Sequence, residues 1–264
     1  VTRTLRALPT LWRVGVAETV AYRGEFLVWI LTTTQPLIMM ALWTKVASAG
    51  TFQGYTSSQI VAYYLADLIV RQLGGNWVAW QMNEEIRSGV LAMRLLRPIP
   101  PFIAYAMTHL AAIPFRSAIA LPLAFVLLAS SGASALTTDP AQIACLLPSL
   151  ALAWLLTFTT LFTIGALAFW FTQTMAIANL WFGAFSLLSG YLLPLTWLGG
   201  VGRIAMWLPF RFMQSAPVEV MTHSLDRAAL ARLLGGQLAW AAIMLLVALG
   251  VWRAGVRRFE SVGG

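Results

Sequence analysis

Six apolar runs of about twenty residues each, separated by short polar breaks, occupy most of the 264 residues of this chain. A helix needs roughly 20 apolar residues to cross the hydrocarbon of a bilayer. The pattern therefore predicts spans at about 26–45, 59–80, 102–129, 141–169, 175–193 and 233–252. Ahead of the first run, residues 10–24 place Leu11, Val14, Val16 and Val20 against Arg13, Glu18 and Arg23, the pattern of a helix lying in the membrane interface. Between the fifth and sixth runs, residues 194–232 are broken by Gly199, Gly200, Gly202, Pro209 and Pro217 yet carry Trp197, Trp207, Phe210 and Phe212. Such a stretch is too apolar for a loop and too broken for a span. Re-entrant or interfacial helices at the outer face are expected there, because irregular backbone at depth must be covered by protein. The whole pattern predicts an all-α integral membrane protein with one transmembrane domain over 1–264, made of an interfacial elbow helix and six transmembrane helices.

One stretch, residues 82–101 (MNEEIRSGVLAMRLLRPIPP), sets charge between two apolar runs. Within it, 83–93 has helical spacing, with Ile86, Val90 and Met93 on one side and Glu84, Glu85 and Arg87 on the other. Ser88 and Gly89 follow, the glycine allowing close approach. Three further charges fall inside predicted spans. Asp67 and Arg71 lie four residues apart, on one helix face, and Arg116 lies between Pro114 and Pro122 in the next span. All three sit about halfway across, so a triad of net charge +1 is expected, either as a packed structural pin or as part of a cavity wall. Thr32, Thr33, Thr34 and Gln35 precede Pro36, where their side chains would meet the carbonyl that a proline kink frees. Thr157, Thr159, Thr160 and Thr163 are expected to bond their own helix or pack against a neighbour. Tyr63, Trp77, Trp181, Phe185 and Tyr191 supply aromatic faces for a flat cationic or apolar molecule, while Trp77, Trp80 and Trp197 also suit an interfacial belt.

Composition agrees with the membrane reading: 59% of residues are hydrophobic and 10% charged, against about a quarter charged in soluble domains. The net charge of +8 then marks orientation rather than nucleic acid. With both ends inside, ten basic residues fall on the inner side, five on the outer side and two within the membrane, which favours an even number of spans. The first residues lack the compact apolar core of a secretory signal and are read as mature sequence. Cys145 is the lone cysteine, so no internal disulfide can form. There is no GxxxxGK[ST] loop, HExxH, CxxC or GxSxG, and His109 and His223 lie far apart. No catalytic residue, metal site or bound cofactor is expected, and ATP hydrolysis by this chain is excluded. The chemistry left open is transport by an ion- or proton-coupled carrier with Asp67 as relay, transport driven by a partner, or a non-transporting membrane scaffold or lipid-modifying enzyme.

The order of elements, with YRGEF after the elbow helix and E-x-I-x-S-G-x-L…L-L-R-P at Glu84 to Pro98, resembles the permease subunit of type-2 ABC exporters, and within them the drug- or viologen-efflux branch. The resemblance covers essentially the whole chain. It implies a permease without enzymatic activity of its own, set in a bacterial-type inner (plasma) membrane with both termini cytoplasmic. It implies two ABC ATPase subunits as partners, carrying ATP and magnesium, and a second permease, like or unlike, with the pathway between them lined mostly by spans 1, 2 and 5. In that family the loop between spans 2 and 3 is the coupling helix, so Glu84, Glu85, Ile86, Arg87, Ser88 and Gly89 would face the ATPase. Arg94 and Arg97 would anchor its end to lipid headgroups, and the outer re-entrant pieces would act as a gate. The implied cargo is a hydrophobic or amphipathic small molecule, drug-like and in some cases cationic, moved outward by alternating access.

Overall fold

The computed structural model describes the backbone of residues 2–21 and 25–259, with side chains for 6–20 and for 34–259 apart from positions 119 and 131. Its helices, in chain order, are α1 (Thr2–Ala21), α2 (Glu25–Val46), α3 (Ser57–Gly74), α4 (Val78–Arg87), α5 (Leu91–Leu95), α6 (Pro101–Ala111) and α7 (Ile113–Leu127). There follow α8 (Pro140–Ala166), α9 (Thr174–Leu188), α10 (Gly199–Ala205), α11 (Pro209–Met213), α12 (Ser215–Thr222) and α13 (Arg227–Val256). Helices dominate the described residues, and the β pairing among them is one isolated bridge, Phe52 to Tyr55.

The ends of these helices are written in the sequence. Thr56 accepts from the backbone of Gln59, whose side chain reaches back, a capping box that starts α3. Asp139 caps α8, with Pro140 in the first position, and Asp226 caps α13. At 27 and 30 residues, α8 and α13 are about 40 Å and 45 Å long, well beyond the roughly 30 Å of hydrocarbon. With the short turn that extends α8 to Phe169, these are the two helices long and apolar enough to cross alone among the described residues. A third crossing exists if 101–118 and 120–130 count as one bent span, with 52° between its parts. Pro122 lies inside α7 and leaves the Ala118 carbonyl without its helical donor, which places the bend. Among the described residues two or three spans are thus clear by length, and Gly75 and Gly190 cut two further runs short. Helix α3 has 18 residues and α9 has 15.

Helix α8 is the spine, with α13, α4, α12, α11 and α3 packed on it, while α2, α3 and α7 form a second group and α1 lies on α6. Among membrane helices such packing comes from close fit rather than from water exclusion. At Gly165 of α8 a methyl would sit 2.9 Å from Met82 Cβ and 3.0 Å from Ala79 Cα, so α4 approaches the spine to a distance that only glycine permits. Buried amides fix the register. Gln237 of α13 donates to Ser149 O at 3.1 Å and Phe212 O at 2.9 Å and accepts from Ser149 Oγ at 2.8 Å. The threonines of α8 bond one turn back, Thr157 to Ala153 O at 2.9 Å and Thr163 to Thr159 O at 2.7 Å. The outward faces are apolar on several helices at once: Ile38, Val126, Leu147, Leu180 and Leu246 are all exposed. A protein in water would pay for that arrangement, whereas lipid solvates it.

Several boundaries differ from those expected. The run at 59–80 is two helices, α3 and α4, separated at 75–77. The region 194–232 is broken as expected, but its last residues already belong to α13, which starts six residues before the predicted span. The interfacial helix begins at Thr2 rather than near residue 10. Tyr22, Arg23, Gly24, and the side chains of Thr32 and Thr33, lie outside the described residues.

Candidate functional site

Two glycines end α3, and the break they make positions the centre of the molecule. Gly75 is extended, so the last carbonyls of α3 lose their helical donors. Arg116 meets them, donating from Nε to Gln72 O at 2.8 Å and from Nη2 to Leu73 O at 3.2 Å. A cation at a helix C-terminus is favoured by the helix dipole as well as by the hydrogen bonds. The expected triad is therefore divided: Arg116 serves the end of α3, and Asp67 is held by other groups. Asp67 is fully buried. Its carboxylate lies 3.8 Å from Arg71 Nη1, and it accepts from Gln214 Nε2 at 2.6 Å, the same amide also donating to Asp67 O at 3.1 Å. Arg71 donates in addition to Gln35 Oε1 on α2 and to the Tyr191 hydroxyl, and its guanidinium carbon lies over the Tyr191 ring, 3.7 Å from the centroid. Four separate segments, α2, α3, the turn after α9 and the α11–α12 junction, meet on this pair.

Tyr191 reaches Arg71 because the chain turns sharply after α9. Gly190 has φ +89°, and a methyl there would lie 2.1 Å from Ser215 Oγ. Around it protein groups meet several irregular carbonyls: Ser215 N donates to Ser189 O at 3.1 Å, Tyr63 OH to Gly190 O at 2.5 Å and Tyr64 OH to Leu192 O at 3.1 Å. Tyr63, expected on a pathway, instead stands behind the turn as a buried support, because its hydroxyl is taken by that carbonyl.

In front of the turn is a cavity of about 390 Å³, open on one side and walled by the α3–α4 break, α8, α9 and Gln214. Trp77, Trp80, Trp181, Phe182, Phe185 and Tyr191 line it, with Arg71, Gln72, Asn76, Thr157 and Gln214 as its polar groups. The rings form a continuous ladder. Trp80 lies against Phe182 (5.2 Å between centroids), Phe182 against Trp181 (4.8 Å), Trp181 is stacked on Phe185 (5.0 Å), and Phe185 meets Tyr191 edge-on (5.6 Å). The ladder ends at the Arg71 guanidinium. Trp181, Phe185 and Tyr191 are thus brought together with Arg71, whereas Trp77 and Trp80, which suit a belt by composition, belong to the same wall.

The charged stretch leads away from this cavity. Helix α4 starts beside Trp77 and ends at Arg87, so about 15 Å separates its cavity end from its charged end. Gly89 has φ +77° and turns the chain into α5. The expected sidedness is only partly met. Glu84, Arg87 and Ser88 are exposed, but Glu85 and Ile86 turn inward. Ile86 packs with Met82, Leu91 and Tyr105. Glu85 accepts from Arg94 Nε at 2.7 Å, Arg94 Nη2 at 2.6 Å, Tyr105 OH at 2.5 Å and Gln81 Nε2 at 3.0 Å. Burial lowers the Arg94 pKa, but the Glu85 hydrogen bonds together with the charges of Tyr105, Glu85 and Glu18 outweigh it, and the net shift is upward. Arg94 therefore closes the loop on Glu85 instead of pointing to headgroups, while Arg97 is exposed. Arg87 donates to Thr172 O and Thr174 Oγ1 to Asn83 Oδ1 at 2.9 Å, tying the end of α4 to the turn between α8 and α9. Val90, Met93 and Leu96 are exposed next to these charges.

Sequence reasoning missed Gln214 and the carbonyl partners of Arg116. Gln214 sits between two very short helices, where no periodicity assigns a face. The glycine pair 74–75 was the available signal for Arg116, since it predicts orphan carbonyls that a nearby cation can meet.

These features define a class: a polytopic helical membrane protein with an aromatic cavity at its centre and a charged helical loop tied to that cavity by a short helix. Over residues 29–263 the chain matches the family described as ABC-2 family transporter protein, and it belongs to that family. No curated protein matches it. The chain is accordingly a multi-pass, membrane-embedded permease component of an ABC exporter, a transport subunit that works with an ABC ATPase.

Proposed function

We propose that this permease is a drug-efflux type of exporter and carries a hydrophobic or amphipathic small molecule from the cytoplasm or inner leaflet to the outside. Two ATPase subunits and a second permease, identical or related, complete the transporter. It lies in the plasma membrane with six spans and both termini in the cytoplasm. The observation that supports this reading is α4 itself, a single helix with one end in the aromatic cavity and the other in the exposed charged turn. Displacement of Arg87 and Ser88 by an ATPase moves Trp77 and Trp80 with them, because α4 is one continuous helix from Val78 to Arg87, and its close contact with Gly165 and its bond from Arg87 to Thr172 O pass the movement on to α8 and the α8–α9 turn. The ATPase contact comprises Glu84, Arg87, Ser88 and the exposed Val90 and Met93, with Gly89 as the turn and Glu85 and Ile86 as its internal frame. Asp67, Arg71 and Arg116 act as structural pins, and Arg71 also forms part of the pathway wall. A proton relay through Asp67 is disfavoured by full burial of its carboxylate between Arg71 and Gln214.

Charge reversal tests this reading. Glu84→Arg with Arg87→Glu is expected to abolish co-purification with the ATPase and ATP-dependent uptake into inside-out vesicles when compared at equal amounts of folded permease. Full uptake by the variant would refute the contact.

A further inference from the structure

The cavity has a chemical polarity that the transport reading leaves open. One end is a ladder of ring faces, and the other is a set of polar groups around one charge. Of the described residues lining it, Arg71 alone is charged, and no carboxylate shares the wall. Asp67, which balances Arg71, lies behind it and is fully buried.

Aromatic faces by themselves attract cations. Here that interaction is already made within the protein: the Arg71 guanidinium covers Tyr191, the last ring of the ladder, at 3.7 Å. An incoming cation would meet that face occupied and a like charge beside it. Bonds to Gln35 and Tyr191 and the pairing with Asp67 fix the plane of the guanidinium, so its orientation costs nothing further on binding. A second polar group stands at the α3–α4 break. Asn76 is buried, lines the cavity, has no hydrogen-bond partner at Oδ1, and from Nδ2 reaches only Gly74 O, at 3.5 Å. A buried amide left in that condition is costly unless a ligand or water meets it.

Taking the cavity as the pathway proposed above, we infer that it binds planar aromatic compounds carrying an acidic or carbonyl group, the rings on the Trp181–Phe185 face and the acidic or carbonyl oxygens toward Arg71 and the weakly engaged Asn76 Nδ2, with Asn76 Oδ1 left to accept from a ligand N–H or O–H or from water. The volume of about 390 Å³ holds two or three fused rings. Arg71 sets the sign of charge that is accepted, and Trp181, Phe182 and Phe185 set the flatness.

The test uses two probes with the same two-ring outline and opposite charge, 2-naphthoate and N-methylquinolinium. Equilibrium binding is measured on the permease assembled with its ATPase in nanodiscs, with empty nanodiscs subtracted. Naphthoate is expected to bind about tenfold more tightly than quinolinium. Arg71→Gln should remove that preference, and Trp181→Ala should weaken naphthoate by a similar factor. Because Arg71→Gln leaves Asp67 without its cation, the Asp67→Asn, Arg71→Gln double variant is measured alongside, and the wild-type ratio stands without either. Equal or tighter quinolinium binding, or an unchanged ratio in both variants, would overturn the charge assignment and leave the pathway standing. Binding of neither probe would remove the cavity from the pathway and the inference with it.

Discussion

Asp67 and Gly190 show how single residues hold this molecule. Asp67 brings α3, the Gln214 junction and Arg71 to one point. Removing one partner from a buried charge pair costs about 3–5 kcal/mol because the other charge is stranded. Asp67→Ala is therefore expected to lower the midpoint of thermal unfolding in detergent and the yield of folded protein, and Asp67→Asn to do so less, since the amide still accepts from Gln214. Unchanged yield with an altered cargo profile would instead make Asp67 a selectivity residue. Gly190 combines φ +89° with a neighbour 2.1 Å from the position a methyl would take. Gly190→Ala should destabilise by more than about 1 kcal/mol, the cost of the left-handed region alone. Adding Ser215→Ala should recover the steric part and leave the backbone part, which a double-mutant cycle on unfolding separates.

At the scale of elements, the charged stretch divides into an internal frame and an exposed face, the proposed ATPase contact. Glu85, with four hydrogen bonds, belongs to the frame. Glu85→Gln is expected to reduce thermal stability by about 1–3 kcal/mol, whereas Glu84→Gln leaves stability unchanged and weakens ATPase association. Gly89→Val, which opposes φ +77°, should cut ATP-driven uptake strongly while the permease still folds, because only the turn between α4 and α5 is disturbed. Helical spacing alone placed Glu84, Glu85 and Arg87 together. Sidedness depended on Arg94 and Tyr105, which approach from outside the helix and leave no mark in its periodicity. The same limit applies to α3 and α4. An apolar run from 59 to 80 looks like one span, and the glycine pair 74–75 breaks it only because Arg116 from another helix meets the freed carbonyls.

At the scale of the whole molecule, what was legible is what hydropathy and helix caps encode. The caps at Thr56, Asp139 and Asp226, the back-bonding threonines of α8 and the broken helices of 194–226 follow from local chemistry. The cavity does not, because its wall is assembled from α4, α8, α9 and the turn at Tyr191, segments joined only by the fold. Of the expected pathway residues, Trp181, Phe185 and Tyr191 lie in that wall and Tyr63 lies behind it. The account rests on one connection, from ATPase contact through α4 to the aromatic cavity. Its most direct test is ATP-dependent uptake into inside-out vesicles containing this permease and its ATPase, compared with the Glu84→Arg, Arg87→Glu variant at equal amounts of folded protein. Uptake should require both ATP and ATPase and be lost in the variant. Uptake driven by a proton gradient without any ATPase, or retained in full by the variant, would contradict that connection.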